Sequence, residues 1–210
     1  MNETAKQIAN RLLQIKAIKI NLHKHFVWAS GWNSPIYCDN RKTLSYPEIR
    51  RLIYTSFAKK IKEKYSDCDV IAGVATGAIA HGILVAEELR KPFVYVRSSP
   101  KLHGMKNLIE GEIPENSKVV VIEDLVSTGG SSLAAVETIR KAGCKTLGML
   151  AIFSYEFTVA TKNFANANCE LTTLCNYTTL LSEATKYGYI TAQDIEIIND
   201  WRLSPQTWKK

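Results

Sequence analysis

The clearest pattern along the chain is an alternation between short, mostly apolar runs and segments whose apolar residues recur at helical spacing. The runs lie at residues 69–74, 93–96, 118–123 and 146–153, and the helical segments between them at residues 79–89 and 131–142. Apolar runs of this length suit strands that are buried on both faces of a sheet. The alternation therefore predicts an α/β fold, with a mostly parallel, twisted sheet flanked by helices.

The N-terminal part of the chain departs from this alternation. Residues 4–18 have apolar side chains at near-helical spacing, whereas residues 26–39 mix aromatic side chains with turn-forming Gly and Pro. These patterns indicate a helix followed by short strands and a turn. We predict a single domain over residues 1–210, with an N-terminal helix and a small hood in residues 1–44 and the core with C-terminal helices in residues 45–210.

Two capping boxes mark predicted helix starts. Ser-Tyr-Pro-Glu at residues 45–48 would begin a helix that reaches about Tyr65. Near the C-terminus, a helix is indicated at residues 180–187, and Thr191 with Asp194 would begin another.

Composition narrows the class of protein. The net charge is +7, but the basic residues are scattered rather than clustered, so nucleic acid is not an expected partner. No apolar run approaches the roughly 20 residues that a membrane span needs, and the start of the chain is too polar for a secretory signal. The five cysteines form no CxxC pair, which argues against a zinc site or a disulfide framework. We therefore expect a cytoplasmic protein without a membrane partner.

Candidate chemistry is concentrated in VVVIEDLVSTGGSS, residues 119–132. Ligands of a parallel sheet bind beyond the carboxyl ends of its strands, and we expect Glu123 and Asp124 at such an end. Two acids there suit hydroxyl groups or a hydrated metal ion. The loop at residues 127–131 offers hydroxyls and backbone amides at a helix N-terminus, which suits a phosphate. A ribose 5-phosphate combines both features.

Other interpretations of the same residues stay open. A buried strand, a turn and a Ser/Thr-capped helix with acids at its start would give this pattern without any ligand. The patterns GxxxxGK[ST] and GxGxxG are absent, which argues against a P-loop NTPase or a Rossmann dehydrogenase. Residues 97–111 lack periodicity, and loops of this length in compact domains often carry function.

VVVIEDLVSTGGSS resembles the signature of the type I phosphoribosyltransferases, which use phosphoribosyl diphosphate (PRPP). Two more segments resemble the orotate-specific branch of that family. SGWNSPIY at residues 30–37 is similar to its SG-x-x-SP-x-Y segment, and RSSPKLHG at residues 97–104 to its mobile catalytic loop. The resemblance implies that branch's fold and reaction: transfer of ribose 5-phosphate from PRPP to orotate, giving orotidine 5′-monophosphate and pyrophosphate in UMP biosynthesis.

The resemblance also implies roles for individual residues. Asp124 would be catalytic together with Lys101 and His103 of the mobile loop, and Glu123 and Asp124 would hold the ribose hydroxyls. Arg97, Lys101 and His103 would meet the pyrophosphate. Further PRPP contacts would come from Leu125, Val126, Ser127, Thr128, Gly129, Gly130 and Ser131, and the pyrophosphate loop would be Ala75, Thr76 and Gly77.

The resemblance implies a contact to orotate for Ser127, and Tyr37 and Arg41 are further candidates for the orotate site. Two basic residues that the family commonly carries beside the base are replaced here by Ala29 and Tyr155. We hypothesise that Arg41 or Lys42 meets the orotate carboxylate instead.

The resemblance further implies Mg²⁺ and a homodimer. The ion would have no direct protein ligand and would be bound through PRPP oxygens and waters near Glu123 and Asp124. The mobile loop of one subunit would reach into the neighbouring site. Two alternatives are kept: a purine phosphoribosyltransferase of the same fold, and a non-catalytic PRPP-sensing regulator of nucleic acid.

Overall fold

A central six-stranded sheet organises the computed structural model, which describes residues 2–99 and 107–209. Its strands are β5 (Val70–Val74), β6 (Phe93–Val96), β7 (Ile109–Glu110), β8 (Lys118–Val126), β9 (Lys145–Ser154) and β10 (Leu171–Asn176). Their order in space is β10-β9-β8-β5-β6-β7, and every neighbouring pair is parallel except β6 with β7. The predicted α/β fold is therefore confirmed.

Helices cover both faces of this sheet. They are α1 (Glu3–Gln14), α2 (Pro47–Lys64), α3 (Ile79–Leu89), α4 (Gly130–Lys141), α5 (Thr158–Asn166), α6 (Tyr177–Lys186) and α7 (Ala192–Leu203). Alternate residues of β8 point to opposite faces: Val120 and Ile122 join a core with α1, α2, α3, α6 and α7, whereas Val119 and Val121 join a core with α4 and α5. The continuous apolar run of β8 thus reflects burial on both sides.

Two small antiparallel sheets form the hood, residues 18–38. β1 (Ile18–Ile20) pairs with β4 (Ile36–Cys38), and β2 (Phe26–Val27) pairs with β3 (Asn33–Ser34). Gly31 turns the chain between β2 and β3 with φ of 81°, a conformation that suits glycine. The short strands and the turn predicted for this region are confirmed.

An aromatic cluster joins the hood to the C-terminal part of the chain. The rings of Trp28 and Tyr155 lie 4.9 Å apart between centroids, and Trp201 packs edge-on to both. Trp201 Nε1 donates to the carbonyl of Asn33 over 3.1 Å, and Asn33 Nδ2 donates to the carbonyl of Lys209 over 2.6 Å. The hood is therefore anchored by residues from the C-terminal part of the chain.

Two local predictions for the N-terminal half are wrong. The helix predicted over residues 4–18 ends at Gln14, because Lys16 takes a positive φ of 54° and the chain enters β1. The capping box predicted at residues 45–48 does not form, because Ser45 closes a 3-10 helix (Asn40–Ser45) and Tyr46, without a side-chain bond, becomes the N-cap of α2.

The C-terminal half agrees with its capping pattern but contains three elements that were not predicted. Thr191 and Asp194 exchange the two hydrogen bonds of a capping box at the start of α7. The unpredicted elements are α5 and the two edge strands of the sheet, β7 and β10; β7 lies within the loop predicted over residues 97–111. Across residues 2–99 and 107–209, each helix is too short or too polar to span a bilayer.

Candidate functional site

A cavity of about 520 Å³ opens at the carboxyl ends of β5, β6 and β8. This is the edge at which parallel sheets bind ligands. Ten of the residues singled out from the sequence line it: Arg41, Ala75, Thr76, Gly77, Arg97, Glu123, Asp124, Leu125, Ser127 and Ser131. Segments that are far apart in the sequence thus meet in one place.

Other predicted site residues lie elsewhere. Val126 is buried in the core beneath α4 and α5, and Tyr37 packs at a tilt against Phe26 at the hood surface, with 37% of its area exposed. Thr128, Gly129 and Gly130 are not part of the cavity wall. Lys101 and His103 lie outside the described residues.

The two acids stand within β8 rather than at its end, which corrects the boundary predicted at Glu123. β9 pairs with β8 as far as Val126, whereas β5 pairs with it only as far as Ile122. On the β5 side, Glu123 and Asp124 therefore project beyond the last neighbouring pair. The continued pairing with β9 holds their backbone extended as far as Val126, and their side chains still lie close enough to interact.

Glu123 is a buried carboxyl with two local donors. Its Oε1 accepts from the backbone N–H of Asp124 over 2.9 Å, and its Oε2 accepts from Ser132 Oγ over 2.8 Å. Burial raises the pKa of Glu123, and the neighbouring charge of Asp124 raises it further. Ser132, on the first turn of α4, was not predicted as a site residue, although its place at the end of the STGGSS loop could have indicated it.

Asp124 faces the turn that follows β5. A Cβ atom at residue 77 would overlap the Asp124 carboxylate, so any larger residue there would displace that carboxylate. The Ala75–Thr76 peptide of the same turn is cis. Burial also raises the pKa of Asp124. The predicted pyrophosphate turn and the predicted ribose-binding acid are thus in direct contact.

The loop between β8 and α4 rests on α5. Asn163 Nδ2 donates to the carbonyl of Thr128 over 2.9 Å, and the ring of Phe164 lies where a side chain at Gly129 would have to go. Gly129 has φ of 84°, and α4 begins at the next residue. The support from α5 was missed, although Phe157, Ala160 and Phe164 have the i, i+3, i+7 spacing of a helix.

Arg41 and Lys42, the two candidate cations, point to different places. Arg41 lines the cavity and its Nε donates to Asp39 Oδ1 over 2.6 Å, an interaction that lowers the pKa of Asp39. Lys42 Nζ instead donates to the carbonyls of Ile15 and Lys16 at the C-terminal end of α1. Of these two candidates, Arg41 is therefore the one that a ligand in the cavity can reach.

Two further positions singled out from the sequence, Arg97 and Tyr155, make defined contacts. Arg97 Nη1 forms an ion pair with Glu110 Oε1 over 3.2 Å, which ties the end of β6 to β7. Tyr155, at the position of a family arginine, is fully buried against Trp28 and Phe157. The position therefore supports the hood instead of presenting a charge to the cavity.

Comparison with known proteins gives consistent matches. A family model described as phosphoribosyl transferase domain matches residues 42–163. The orotate phosphoribosyltransferase of Porphyromonas gingivalis is 56% identical over 208 residues, which cover 99% of each chain. Leishmania donovani UMP synthase has a TM-score of 0.79 at 27% identity, over 94% of this chain and 42% of that longer one. The orotate phosphoribosyltransferase of Aeropyrum pernix has a TM-score of 0.71 at 25% identity, over 86% and 99% of the two chains.

Proposed function

Because this chain belongs to the orotate phosphoribosyltransferase family, we propose that it transfers ribose 5-phosphate from PRPP to orotate, giving orotidine 5′-monophosphate and pyrophosphate. The observation that carries the proposal is the cavity itself. It brings together the acids of β8, the serines of the following loop, the turn after β5 and the guanidinium of Arg41. A sugar phosphate bearing an acidic base and a diphosphate needs these kinds of group in one place.

The substrate parts can be assigned to separate walls of the cavity. Asp124 and Glu123 would hold the ribose hydroxyls, and Ser127 and Ser131 would face the 5-phosphate, where the N-terminus of α4 adds amide donors. Arg41 would meet the orotate carboxylate, since a guanidinium pairs well with a planar carboxylate. In this proposal, the phosphate, the sugar and the base each meet a different set of cavity residues.

The reaction needs orientation and charge stabilisation rather than a protein nucleophile. As the C1–O bond breaks, positive charge develops on the ribose and negative charge on the pyrophosphate. Arg97, at the end of β6, would face the leaving group, and the proposal assigns Lys101 and His103 to the same task. Holding base and ribose in register supplies the rest of the rate enhancement.

Mg²⁺ is part of the same proposal. In the described residues, no group of three or more His, Cys, Asp or Glu side chains is placed to hold a metal ion. The paired carboxyls of Glu123 and Asp124 suit a hydrated ion whose other ligands are substrate oxygens. When bound, Mg²⁺ would neutralise charge on the pyrophosphate.

We further propose a homodimer in which the loop at residues 97–111 is shared between neighbouring sites. This rests on the resemblance of RSSPKLHG to the family's mobile loop. A reducing, cytoplasmic setting is part of the same proposal, and the free thiols of all five cysteines support it.

A panel of bases tests the reaction. The protein would be incubated with PRPP and Mg²⁺ and offered orotate, uracil, adenine, hypoxanthine or xanthine, while pyrophosphate release is followed. We expect release with orotate alone, abolished by a chelator and by Asp124→Asn. Asp67→Asn is the matched control, because Asp67 pairs with Lys118 at the opposite end of β8. It should keep full activity.

Each other outcome has a definite meaning. Release with a purine would keep the PRPP site but replace the base. No release with any base, together with RNA or DNA binding that weakens steeply with salt, would make the chain a PRPP-sensing regulator.

A further inference from the structure

Asn40 bridges the segment after the hood and the acids of β8. It is 1% exposed and is the first residue of the 3-10 helix. Its Nδ2 donates to the backbone carbonyl of Asp124 over 2.6 Å, and its Oδ1 lies 3.4 Å from Cys38 Sγ, which donates to it. One buried amide therefore contacts both the predicted ribose site and the wall of the cavity beside Arg41.

The Asp124 carbonyl lies where strand pairing on one side has ended. β5 pairs with β8 only as far as Gly73 opposite Ile122, so residues 123–126 of β8 extend beyond it. A buried carbonyl without a donor is costly, and such groups are satisfied by side chains when strands are not available. Asn40 supplies a donor at this point. The direction of the Asp124 peptide is thereby fixed by a side chain 84 positions earlier in the chain.

A second link holds Asn40 from behind. Thr43 Oγ1 donates to the Asn40 carbonyl over 2.5 Å and lies 3.0 Å from Nε2 of His81, which is fully buried on α3. The single hydroxyl proton goes to the carbonyl, so Nε2 of His81 carries the hydrogen that is donated to Thr43. The 3-10 helix is thus fastened to the helix that begins just after Gly77.

We propose that Asn40 is a positioning residue that orients Asp124 toward the ribose of PRPP and sets its separation from the base-side segment. The inference rests on the proposed function, because the ribose and the base are its ligands. Asn40 holds the Asp124 peptide, and Arg41 follows Asn40 directly in the chain. A shift of Asn40 would therefore displace both Asp124 and Arg41.

Two substitutions at Asn40 test this. Asn40→Asp keeps the shape but replaces the donor with an oxygen that faces the Asp124 carbonyl, and Asn40→Leu removes both polar atoms at similar volume. Thr43→Val is the matched control: it removes the bonds of Thr43 to the Asn40 carbonyl and to His81, but it leaves the amide donor of Asn40 in place for the Asp124 carbonyl. PRPP binding with Mg²⁺ and no base would be measured by calorimetry, followed by kcat and KM with orotate and by thermal midpoints.

We expect the dissociation constant for PRPP to rise about tenfold in both Asn40 variants, a loss of about 1.4 kcal/mol in binding free energy. We also expect kcat to fall in both variants. Thr43→Val should lower the thermal midpoint but stay within about threefold of the wild type in PRPP affinity, a difference of under about 1 kcal/mol. A purely structural role for Asn40 would lower only the thermal midpoint. Asn40→Leu decides the matter if Asn40→Asp does not fold.

Two results would overturn the inference. One is PRPP affinity within twofold of the wild type in a folded Asn40 variant. The other is an equal loss of affinity in Thr43→Val, which would assign the effect to the whole 3-10 helix. Wild-type protein that binds PRPP but leaves orotate unused would refute the base assignment and leave the calorimetric test of Asn40 intact. Wild-type protein that binds no PRPP would refute both.

Discussion

Gly77 lies directly against the carboxylate of Asp124, with no space for a β-carbon between them. The contact joins the turn after β5 to the acid of β8, two segments that the sequence separates by more than forty positions. Asp124 is therefore contacted from two sides, by Gly77 at its side chain and by Asn40 at its carbonyl.

Gly77→Ala should displace Asp124 and reduce kcat/KM for PRPP at least tenfold, about 1.4 kcal/mol in transition-state stabilisation. Gly82→Ala is the matched control, since its β-carbon would meet the Phe93 ring at 2.6 Å, away from the acids. That variant should lose stability and keep its activity per folded molecule. Steady-state kinetics and thermal midpoints of both variants separate the effects. Equal kinetic losses would contradict the assignment.

Arg41→Ala should raise the KM for orotate about tenfold, because a charge-assisted bond to the carboxylate is lost. The KM for PRPP should change little. Lys42→Ala is the neighbouring control, since Lys42 binds the carbonyls at the end of α1 and should affect stability alone. An unchanged orotate KM in Arg41→Ala would remove Arg41 from the base site.

Glu123 should make the ligand-free protein less stable at alkaline pH. Its pKa is raised by burial and by Asp124, so the folded state favours the protonated carboxyl. The contribution of Glu123 to the free energy of unfolding is complete below the ordinary pKa of a glutamate. It is lost as the pH rises through the raised pKa of Glu123 in the folded state. Urea unfolding of the wild type between pH 5 and 8.5 should show a decline that is smaller in Glu123→Gln.

Glu170→Gln provides the control of opposite sign. The ion pair with Lys64 lowers the pKa of Glu170, so its contribution is lost only as pH falls. In this variant, the free energy of unfolding should decline between pH 5 and 8.5 as it does in the wild type. If Glu123→Gln showed the same decline, the buried carboxyl of Glu123 would not be its cause.

His81 should act in the acidic range. Burial, with the charge of Arg50, lowers the pKa of His81 to about 4. The contribution of neutral His81 to the free energy of unfolding is complete above pH 6.5 and is lost as the pH falls toward 4. The loss amounts to about 2 kcal/mol by pH 5. The difference in unfolding free energy between wild type and His81→Asn should shrink by that amount from pH 7 to 5. A flat difference for His81→Asn would contradict the burial of His81 as a neutral ring.

The strands and helices that flank the cavity could be predicted because each has a one-dimensional signal. The apolar run at residues 118–123 and the helical spacing at residues 79–89 need no knowledge of neighbours. The extension of β8 to Val126 had no such signal, because it depends on pairing with β9, which continues after β5 has stopped. Partly buried polar residues of a strand look like a loop in the sequence.

The candidate site was predicted in its chemistry but not in its supports. Glu123, Asp124 and Gly77 stood in recognisable local patterns, and the fold brings them into one cavity. Asn40 and Asn163 were not predicted, because each acts through a hydrogen bond to a backbone carbonyl far away in sequence. A side chain that serves another segment's backbone leaves no pattern around itself.

The bond from Trp201 to the carbonyl of Asn33 spans 168 positions. On the ribosome, the hood is therefore made long before the residue that anchors it, and most of the chain must emerge in between. β8, the loop after it and α4 are complete earlier than the anchored hood. A nascent or truncated chain that lacks α7 would thus carry the acids of β8 beside a hood without its anchor.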